Sequence, residues 1–434
     1  MASKAGQQLS KQRGIFLNLG LFQFLSFVRR GIFYTFMTIY LYDLVQSVTL
    51  TALLGSLNAV GSALGQNLLW GRIADRYRLT AKLVVMGETI AAMMYLIVFL
   101  VHKSLVDSQA NFGAGLSLII GLSVLEFFWS MSDVGWAALL TKVTTSKTRG
   151  GVVGTLHFVA LLGRMIGINF AGFLFDGGQG FRQGTIFYIV IGMLLTGTLI
   201  MWVTSRSVRR SESREETVVD PTNTAREVQP KPNSRIYNWF LVSLIIIVIG
   251  TACVSQVFLL FMKVPTAIGG LNLSDEEISL ILTAWTLGGM FMSLSSGWLA
   301  DRIGRIKVLL VGMVLAAVTS LLYGLATEFW SLAVFYAVNG VSFWAIQTVG
   351  FAFAGDLIPE EQRGRLFSRY NAVMALSWGP AGLLVGGPLA DLQVRSGWSE
   401  LTAYLNTFYV SAVIVAVGTV VFAVKVARQK KKTL

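Results

Sequence analysis

Apolar residues run along this chain in long blocks that are separated by short polar segments. A helix needs about 20 apolar residues to cross the hydrocarbon core of a bilayer, and each block has that length. We therefore predict twelve transmembrane helices, numbered as spans 1 to 12 in chain order. They cover residues 15–42, 49–70, 82–101, 114–138, 152–175, 184–203, 237–262, 276–298, 307–326, 331–355, 366–390 and 403–424. The fold class predicted from this pattern is an all-α integral membrane protein.

A polar segment between the sixth and seventh blocks divides the chain into two sets of six helices. Residues 204–236 are charged, contain proline and show no apolar periodicity, which is typical of a solvated linker. We predict an N-terminal six-helix half at residues 1–203, a cytoplasmic linker at 204–236, and a C-terminal six-helix half with a basic tail at 237–434.

Composition agrees with membrane insertion and excludes other classes. The 434 residues are 54% hydrophobic and only 13% charged, whereas a soluble domain carries about 25% charged residues. A soluble enzyme, a secreted scaffold and a disordered protein are therefore excluded. One cysteine and two histidines are too few for a structural zinc site, and no GxxxxGK[ST] loop for nucleotide phosphates is present. We expect neither enzymatic activity nor a metal or cofactor.

The net charge of +13 reflects where lysine and arginine lie along the chain. With both termini in the cytoplasm, 28 of the 35 Lys and Arg residues fall in cytoplasmic segments. The positive-inside rule therefore predicts that both termini are cytoplasmic. We expect a multi-pass protein of the plasma (inner) membrane, whose basic tail attracts anionic lipid. Nucleic acid is not an expected partner.

Two short motifs recur at nearly the same distance and indicate that the two halves are a tandem duplication. Residues 71–76 read GRIADR after span 2, and residues 297–302 read GWLADR after span 8, 226 residues later. Residues 134–137 read VGWA and residues 349–352 read VGFA, 215 residues later. Two ordered matches at nearly one offset indicate an internal repeat of six helices.

The second copy continues to Lys307 and resembles the GxLADRxGRxK signature of the major facilitator superfamily of secondary transporters. The first copy departs from that signature at residues 78–80, which read RLT. The resemblance implies alternating access, in which two halves rock about a site near the middle of the membrane. It also implies a cytoplasmic gate at both motifs and at an acid–arginine pair after span 10. The implied gate residues are Gly71, Asp75, Arg76, Gly297, Asp301, Arg302, Gly304, Arg305, Asp356 and Arg363.

Span 5 carries a series of small residues that bears on the direction of transport. Gly154, Gly163, Gly167 and Gly172 resemble the glycine pattern of proton antiporters in that superfamily, although Ile168 replaces a proline and Ala171 replaces a glycine. This resemblance favours an exporter. The alternative is generic close packing of helices at small residues.

Ionisable residues within the spans are candidates for the site, because each costs roughly 2.5–3.5 kcal/mol to insert into a bilayer. All the deep ones lie in the first half of the chain. Glu126 and Asp133 are two turns apart on one face of span 4, and the resemblance places that span beside the cavity. A carboxylate in a partly dry cavity can exchange a proton against substrate. We therefore predict Asp133, Glu126 and Glu88 as proton-coupling residues, the alternatives being a static salt bridge for the first two and a partner of loop arginines for Glu88.

Other polar and aromatic residues are predicted to line the substrate cavity. Arg29 and Arg30 are about 100° apart on span 1, so we expect one to line the cavity and the other to brace it. Packing is the alternative for each aromatic residue, for His157 and, as a brace of Glu126, for Arg164. The predicted cavity residues are Arg29, Arg30, Tyr34, His157, Arg164, Asn339, Trp344, Gln347, Asn371 and Trp378.

These observations favour proton-coupled export of a small organic or amphipathic compound by a monomeric transporter, whose partners are that substrate, the proton and membrane lipid. Transport of an organic anion is the alternative, suggested by the intramembrane arginines. An alternative of another class is a membrane receptor or scaffold that does not transport.

Overall fold

The computed structural model describes residues 2–77, 79–144, 149–212, 234–358 and 363–428. These residues form helices and contain no strand. Twelve segments are long and apolar enough to cross a membrane: Gly14–Val45, Val48–Ala74, Ala81–Asp107, Asn111–Leu140, Val152–Arg182, Thr185–Ser207, Arg235–Lys263, Asp275–Ile303, Arg305–Leu325, Phe329–Leu357, Arg369–Arg395 and Glu400–Ala427. The predicted all-α class with twelve spans is confirmed. The side of the membrane that holds the termini stays a prediction.

Five of the twelve spans consist of two helices each. The helices are α1 Ala2–Tyr34 and α2 Met37–Val45 in span 1, α3 Val48–Leu64 and α4 Gly71–Tyr77 in span 2, α5 Ala81–Asp107 in span 3, α6 Asn111–Val143 in span 4, α7 Arg149–Phe175 and α8 Gln179–Arg182 in span 5, α9 Thr185–Glu212 in span 6, α10 Ser234–Ala252 and α11 Ser255–Lys263 in span 7, α12 Asp275–Ile303 in span 8, α13 Arg305–Leu322 in span 9, α14 Phe329–Leu357 in span 10, α15 Arg363–Ala381 and α16 Gly387–Arg395 in span 11, and α17 Glu400–Phe422 in span 12.

The chain groups into two compact units. Unit 1 comprises Met1–Phe36 and Val60–Glu227, and unit 2 comprises Met37–Ala59 and Val228–Leu434. The end of span 1 and the beginning of span 2 therefore group with the second half of the chain. The boundaries predicted for the halves, at residues 203 and 237, stay predictions.

Unit 1 is built around span 1, which packs against spans 5 and 6, and span 3, which packs against spans 4 and 6. The rings of Tyr95, Phe181 and Phe187 each meet Phe33 edge to face, with centroids 4.8–5.6 Å apart. Edge-to-face pairs add specificity to apolar burial. This aromatic cluster lies one turn beyond Arg29 and Arg30 in the sequence and fixes that part of span 1 within the unit.

Spans 1 and 5 approach each other at glycine residues. A Cβ atom built on Gly163 would lie 2.5 Å from the carbonyl oxygen of Phe24, and one on Gly167 would lie 2.2 Å from that of Val28. Both distances are far below van der Waals contact, so only glycine allows this approach. These two glycines of the span 5 pattern therefore allow the backbones of spans 1 and 5 to pack in direct contact.

Unit 2 has its own core, in which span 8 packs against span 10, and span 12 packs against spans 7 and 9. Phe240, Phe353 and Phe422 form edge-to-face contacts at its centre. Span 8 begins with a capping box, in which Ser274 and Glu277 bond each other's backbone N–H groups, and such a cap satisfies free donors at a helix start.

Candidate functional site

Five of the predicted ionisable residues lie together in unit 1, and we call them the charged cluster: Arg29, Arg30, Glu88, Glu126 and Asp133. Span 1 supplies the arginines, span 3 supplies Glu88, and span 4 supplies the other two carboxylates. Nη2 of Arg30 lies 3.8 Å from Oδ1 of Asp133. Glu126 interacts electrostatically with both arginines and both other carboxylates. The structure thus brings together all three residues predicted to couple protons, although their role stays a prediction.

Trp129 organises the charged cluster. The guanidinium carbons of Arg29 and Arg30 lie 4.5 Å and 4.2 Å from the centroid of its ring, within the range of cation–π attraction. The indole Nε1 of Trp129 donates a hydrogen bond of 2.7 Å to Oε1 of Glu88. One indole therefore contacts two cations through its ring and one anion through its N–H group.

Glu88 is buried between spans 3 and 4, with 2% of its surface exposed. Besides Trp129, the hydroxyl of Ser132 donates to Oε1 of Glu88 over 2.8 Å. Both donors come from span 4, so the alternative reading of Glu88 as a partner of loop arginines does not match its hydrogen bonds. Both donors are neutral groups, so these two hydrogen bonds stabilise the buried carboxylate without adding a countercharge.

The two arginines occupy different environments although both reach Trp129. Arg29 is 1% exposed, whereas about a third of the Arg30 side chain is exposed. Arg29 therefore matches the arginine predicted to brace the cavity, and Arg30 matches the one predicted to line it. Both roles stay predictions. Their long side chains explain how adjacent positions converge on one ring.

The charges of the cluster do not balance. Glu88, Glu126 and Asp133 contribute three carboxylates, and the arginines contribute two guanidinium groups. In a bilayer each uncompensated charge is costly, so the cluster has one carboxylate that a proton or a cationic group can neutralise. At the same time, Nη2 of Arg29 and Nε of Arg30 are buried without a hydrogen-bond acceptor among the described residues.

The predicted cavity residues on spans 1 and 5 are placed as follows. Tyr34 is half-buried and meets Phe33 edge to face, with centroids 5.2 Å apart. His157 and Arg164 on span 5 have exposed side chains. A role in lining a cavity stays a prediction for all three.

Asn339, a predicted cavity residue of the second half, joins three helices of unit 2. Its Oδ1 accepts from Nε1 of Trp285 on span 8 over 3.0 Å, and its Nδ2 donates to Oγ1 of Thr319 on span 9 over 3.1 Å. The side-chain amide of span 10 is therefore engaged in packing, a use that the sequence did not suggest. The other four residues predicted there are half-buried, as for Trp344 and Gln347, or exposed, as for Asn371 and Trp378.

The second copy of the gate motif forms an ion pair within unit 2. Nη1 of Arg305 donates to Oδ1 of Asp356 and, over 3.0 Å, to the carbonyl oxygen of Ala352. This pair ties the start of span 9 to the end of span 10. Gly304 ends span 8 with a φ of 93°, which favours glycine.

The gate residues outside this pair are placed as follows, where their side chains are described. Asp301 is exposed, and Arg302 is exposed over the ring of Trp298. In the first copy, Gly71 begins α4, and Arg76 is exposed beside Tyr77. The side chains of Asp75 and Arg363 lie outside the described part of the chain, and a gating role stays a prediction for the whole set.

Trp129 is the residue of this site that sequence reasoning did not single out. The available signal was its position: Trp129 lies three residues after Glu126 and four before Asp133, so all three share one helix face.

Comparisons with known proteins match this chain to one family and to several relatives. The family model described as Major Facilitator Superfamily matches residues 19–270 and 244–434. An uncharacterized MFS-type transporter of Mycobacterium tuberculosis (strain CDC 1551 / Oshkosh) is 35% identical over 127 residues, which cover 29% of this chain and 18% of that protein. The quinolone resistance protein NorA of Staphylococcus aureus (strain Mu50 / ATCC 700699) is 23% identical over 149 residues, covering 32% of this chain and 38% of NorA. These alignments span well under two thirds of either relative.

Solved structures share the fold at low sequence identity. A bacterial homologue of the iron transporter ferroportin, in an inward-facing state, has a TM-score of 0.68 and 15% identity, covering 94% of this chain and 98% of that chain. The nucleoside transporter NupG has a TM-score of 0.68 and 14% identity, covering 94% and 99%. Identity this low supports the fold alone.

Proposed function

This chain belongs to the major facilitator superfamily of membrane transporters, and we propose that it exports a small organic or amphipathic compound in exchange for protons. One observation carries the proposal: the charged cluster holds three carboxylates for two guanidinium groups, and this surplus of one negative charge can be neutralised by either a proton or a positively charged substrate. The partial likeness to a quinolone resistance protein supports export of a drug-like compound.

Competition for the surplus carboxylate provides the coupling. Asp133 and Glu126 share one face of span 4 and interact with Arg30. When a proton binds there, Arg30 loses an electrostatic partner, and a cationic substrate at the same place is released. When the proton leaves, the site regains its negative charge and accepts substrate again. Binding of the two ligands is therefore mutually exclusive, which is the thermodynamic requirement for exchange.

Trp129 extends this coupling to Glu88. A charged Glu88 is the stronger acceptor for the indole N–H, and the same indole carries both guanidinium groups on its ring. A change of charge at Glu88 therefore alters the position of the ring that holds Arg29 and Arg30. We assign Trp129 a positioning role between the third carboxylate and the arginines.

Purified protein in liposomes tests the proposal. A lipophilic cationic dye should move against its gradient when a pH gradient is imposed, and a protonophore should stop that movement. The Arg305–Asp356 pair serves as an internal check of the transport cycle, because its loss should slow dye movement without changing dye binding. Dye that binds tightly yet never crosses the membrane would support the receptor or scaffold alternative instead.

Transport of an organic anion is a second candidate, and the buried donors of Arg29 and Arg30 favour it. A guanidinium donor that has no acceptor in a low-dielectric site gains from an incoming carboxylate or phosphate. An anionic substrate at this place would also compete with Asp133 for Arg30.

Replacing Arg29 or Arg30 with Gln distinguishes the two candidates. A hydrogen bond to a charged group is worth about 1.5–3 kcal/mol, so an anionic ligand should bind about tenfold to a hundredfold more weakly. A neutral analogue of the same shape should be unaffected. Thermal-shift titration with both ligands measures the difference, and Arg395→Gln, at an exposed position, is the matched control. Equal losses for the two ligands would remove the support for an anionic substrate.

We further propose that the transporter works as a monomer in the plasma (inner) membrane, with both termini in the cytoplasm and the basic tail near anionic lipid. The excess of Lys and Arg in the segments assigned to the cytoplasm supports this placement.

A further inference from the structure

Asp391, at the end of span 11, holds the beginning of span 2. The connection between spans 1 and 2 lies on the membrane side opposite to both termini, which we call the distal side. Oδ2 of Asp391 accepts from the hydroxyl of Ser47 over 2.6 Å and from the backbone N of Thr49 over 3.0 Å. Its Oδ1 accepts from the backbone N of Val48 over 2.9 Å. All four residues belong to unit 2.

Span 2 depends on this carboxylate for its N-terminal cap. The first turn of α3 contains no acidic residue, and Ser47 Oγ accepts the N–H of Leu50 over 3.2 Å. Asp391 satisfies the two N–H groups that remain in that turn. Span 8, which occupies the equivalent place in the repeat, carries its own capping box at Ser274 and Glu277. The repeat units thus differ: span 8 is capped within its own helix, and span 2 is capped from span 11.

Further contacts join spans 1 and 2 to spans 11 and 12 on the distal side. The hydroxyl of Tyr42 in span 1 donates to Oε1 of Glu400 at the start of span 12 over 2.9 Å. A Cβ atom built on Gly387 of span 11 would lie 2.6 Å from the Cα atom of Thr49, so the two backbones touch. Spans 2 and 11 also meet farther from the distal side, where Ser56 Oγ donates to the carbonyl oxygen of Gly379 over 3.0 Å.

The sequence around Asp391 repeats part of the gate motif. Residues 387–391 read GPLAD, and residues 297–301 of the complete motif read GWLAD. The residue 215 positions before Asp391 is Asp176, at the offset that relates the two VG(W/F)A segments. An acid at the distal end of the fifth span of each half is therefore a feature of the duplicated unit.

We propose that Asp391, assisted by Glu400, is the latch of the distal gate. Spans 1 and 2 belong to the first six helices of the sequence, and spans 11 and 12 belong to the last six. Alternating access separates the two sets on each membrane side in turn, so these hydrogen bonds form while the distal side is closed and break when it opens. The inference holds for any transported compound and does not depend on proton coupling.

Cysteine labelling tests the latch. In a Cys253→Ala background, Ser56→Cys places one thiol between spans 2 and 11, where Ser56 is 4% exposed. Adding Asp391→Asn should raise the rate of maleimide labelling in detergent about tenfold, the effect of losing a strong helix cap. Tyr42→Phe, which removes one neutral hydrogen bond, should raise it about threefold. Asp107→Asn removes an exposed acid of unit 1 that pairs with Lys103 and should leave the rate unchanged.

A designed cap separates a latch from a merely frayed helix. Leu50→Glu gives span 2 the Ser-x-x-Glu box that span 8 possesses, so it restores the helix start without restoring the link to span 11. Labelling of the Asp391→Asn, Leu50→Glu variant should remain fast. A return to the original rate would show that Asp391 only caps span 2, and an unchanged rate in Asp391→Asn would equally overturn the proposal. Should Asp391→Asn not fold, an unchanged rate in Tyr42→Phe would decide against it.

Discussion

Asp133→Asn and Glu126→Gln should each remove proton-driven transport while exchange of labelled for unlabelled substrate continues. An amide keeps the shape of the carboxyl group and takes up no proton. The other carboxylate of span 4 still attracts a cationic substrate, so at saturating substrate concentration the cycle with substrate bound still runs. An intramembrane charge is worth roughly 2.5–3.5 kcal/mol, and we expect driven transport to fall about a hundredfold. Both activities are measured in the same liposomes, with and without a pH gradient.

The pattern of losses distinguishes coupling from a structural role. If Asp133 only forms a salt bridge with Arg30, both activities and the protein yield should fall together, because an arginine within the membrane loses its ion-pair partner. Asp107→Asn again serves as the control, since its ion pair is exposed. Full driven transport in both variants would exclude the two acids of span 4, and Glu88→Gln would then be the variant to measure.

Gly167→Ala should strongly destabilise the protein and abolish transport. Its new methyl group would lie 2.2 Å from the carbonyl oxygen of Val28 and 3.0 Å from the Cα atom of Gly31, the residues that flank Arg29 and Arg30. Overpacking of this kind costs about 1–3 kcal/mol, and relief by movement of span 1 would displace both guanidinium groups from Trp129. Thermal unfolding in detergent and driven transport give the two readouts.

Gly154→Ala is the matched control within the same glycine pattern. No atom of the described residues lies within 4 Å of a Cβ atom built there, and alanine is the better helix former by about 1 kcal/mol. Unfolding temperature and transport should therefore be unchanged or slightly raised. Equal effects of the two substitutions would mean that the contact between spans 1 and 5 does not limit stability.

The fold could be predicted because hydrophobic length alone decides which segments enter a bilayer. Span 1 was expected at residues 15–42 and is found at Gly14–Val45, and the other spans follow with shifts of several residues. Helical periodicity places Glu126 and Asp133 on one face of span 4. Both features depend on local sequence, whereas the position of that face beside the cavity was implied only by the family resemblance.

Other features depend on side-chain direction across helix interfaces and could not be predicted. Asp356 pairs with Arg305 from span 9, a partner that the motif did not indicate, and its predicted pairing with Arg363 lies outside the described side chains. Asn339 bonds Trp285 and Thr319, contacts that the sequence did not indicate, and its role in lining a cavity stays a prediction. The role of Asp391 becomes visible only when spans 2 and 11 are placed side by side, since 342 residues separate it from Thr49.

The charged cluster has a consequence for biogenesis. Span 1 is the least apolar of the twelve segments, with a mean hydropathy of 1.2, and it carries two arginines whose partners are made about a hundred residues later. At roughly 5–20 residues per second of synthesis, the ribosome exposes those charges for about 5–20 s before Asp133 emerges. During that interval span 1 needs the translocon or an insertase to shelter it. Nascent chains that end before span 4 should therefore be degraded, and the first stable membrane intermediate should contain four helices.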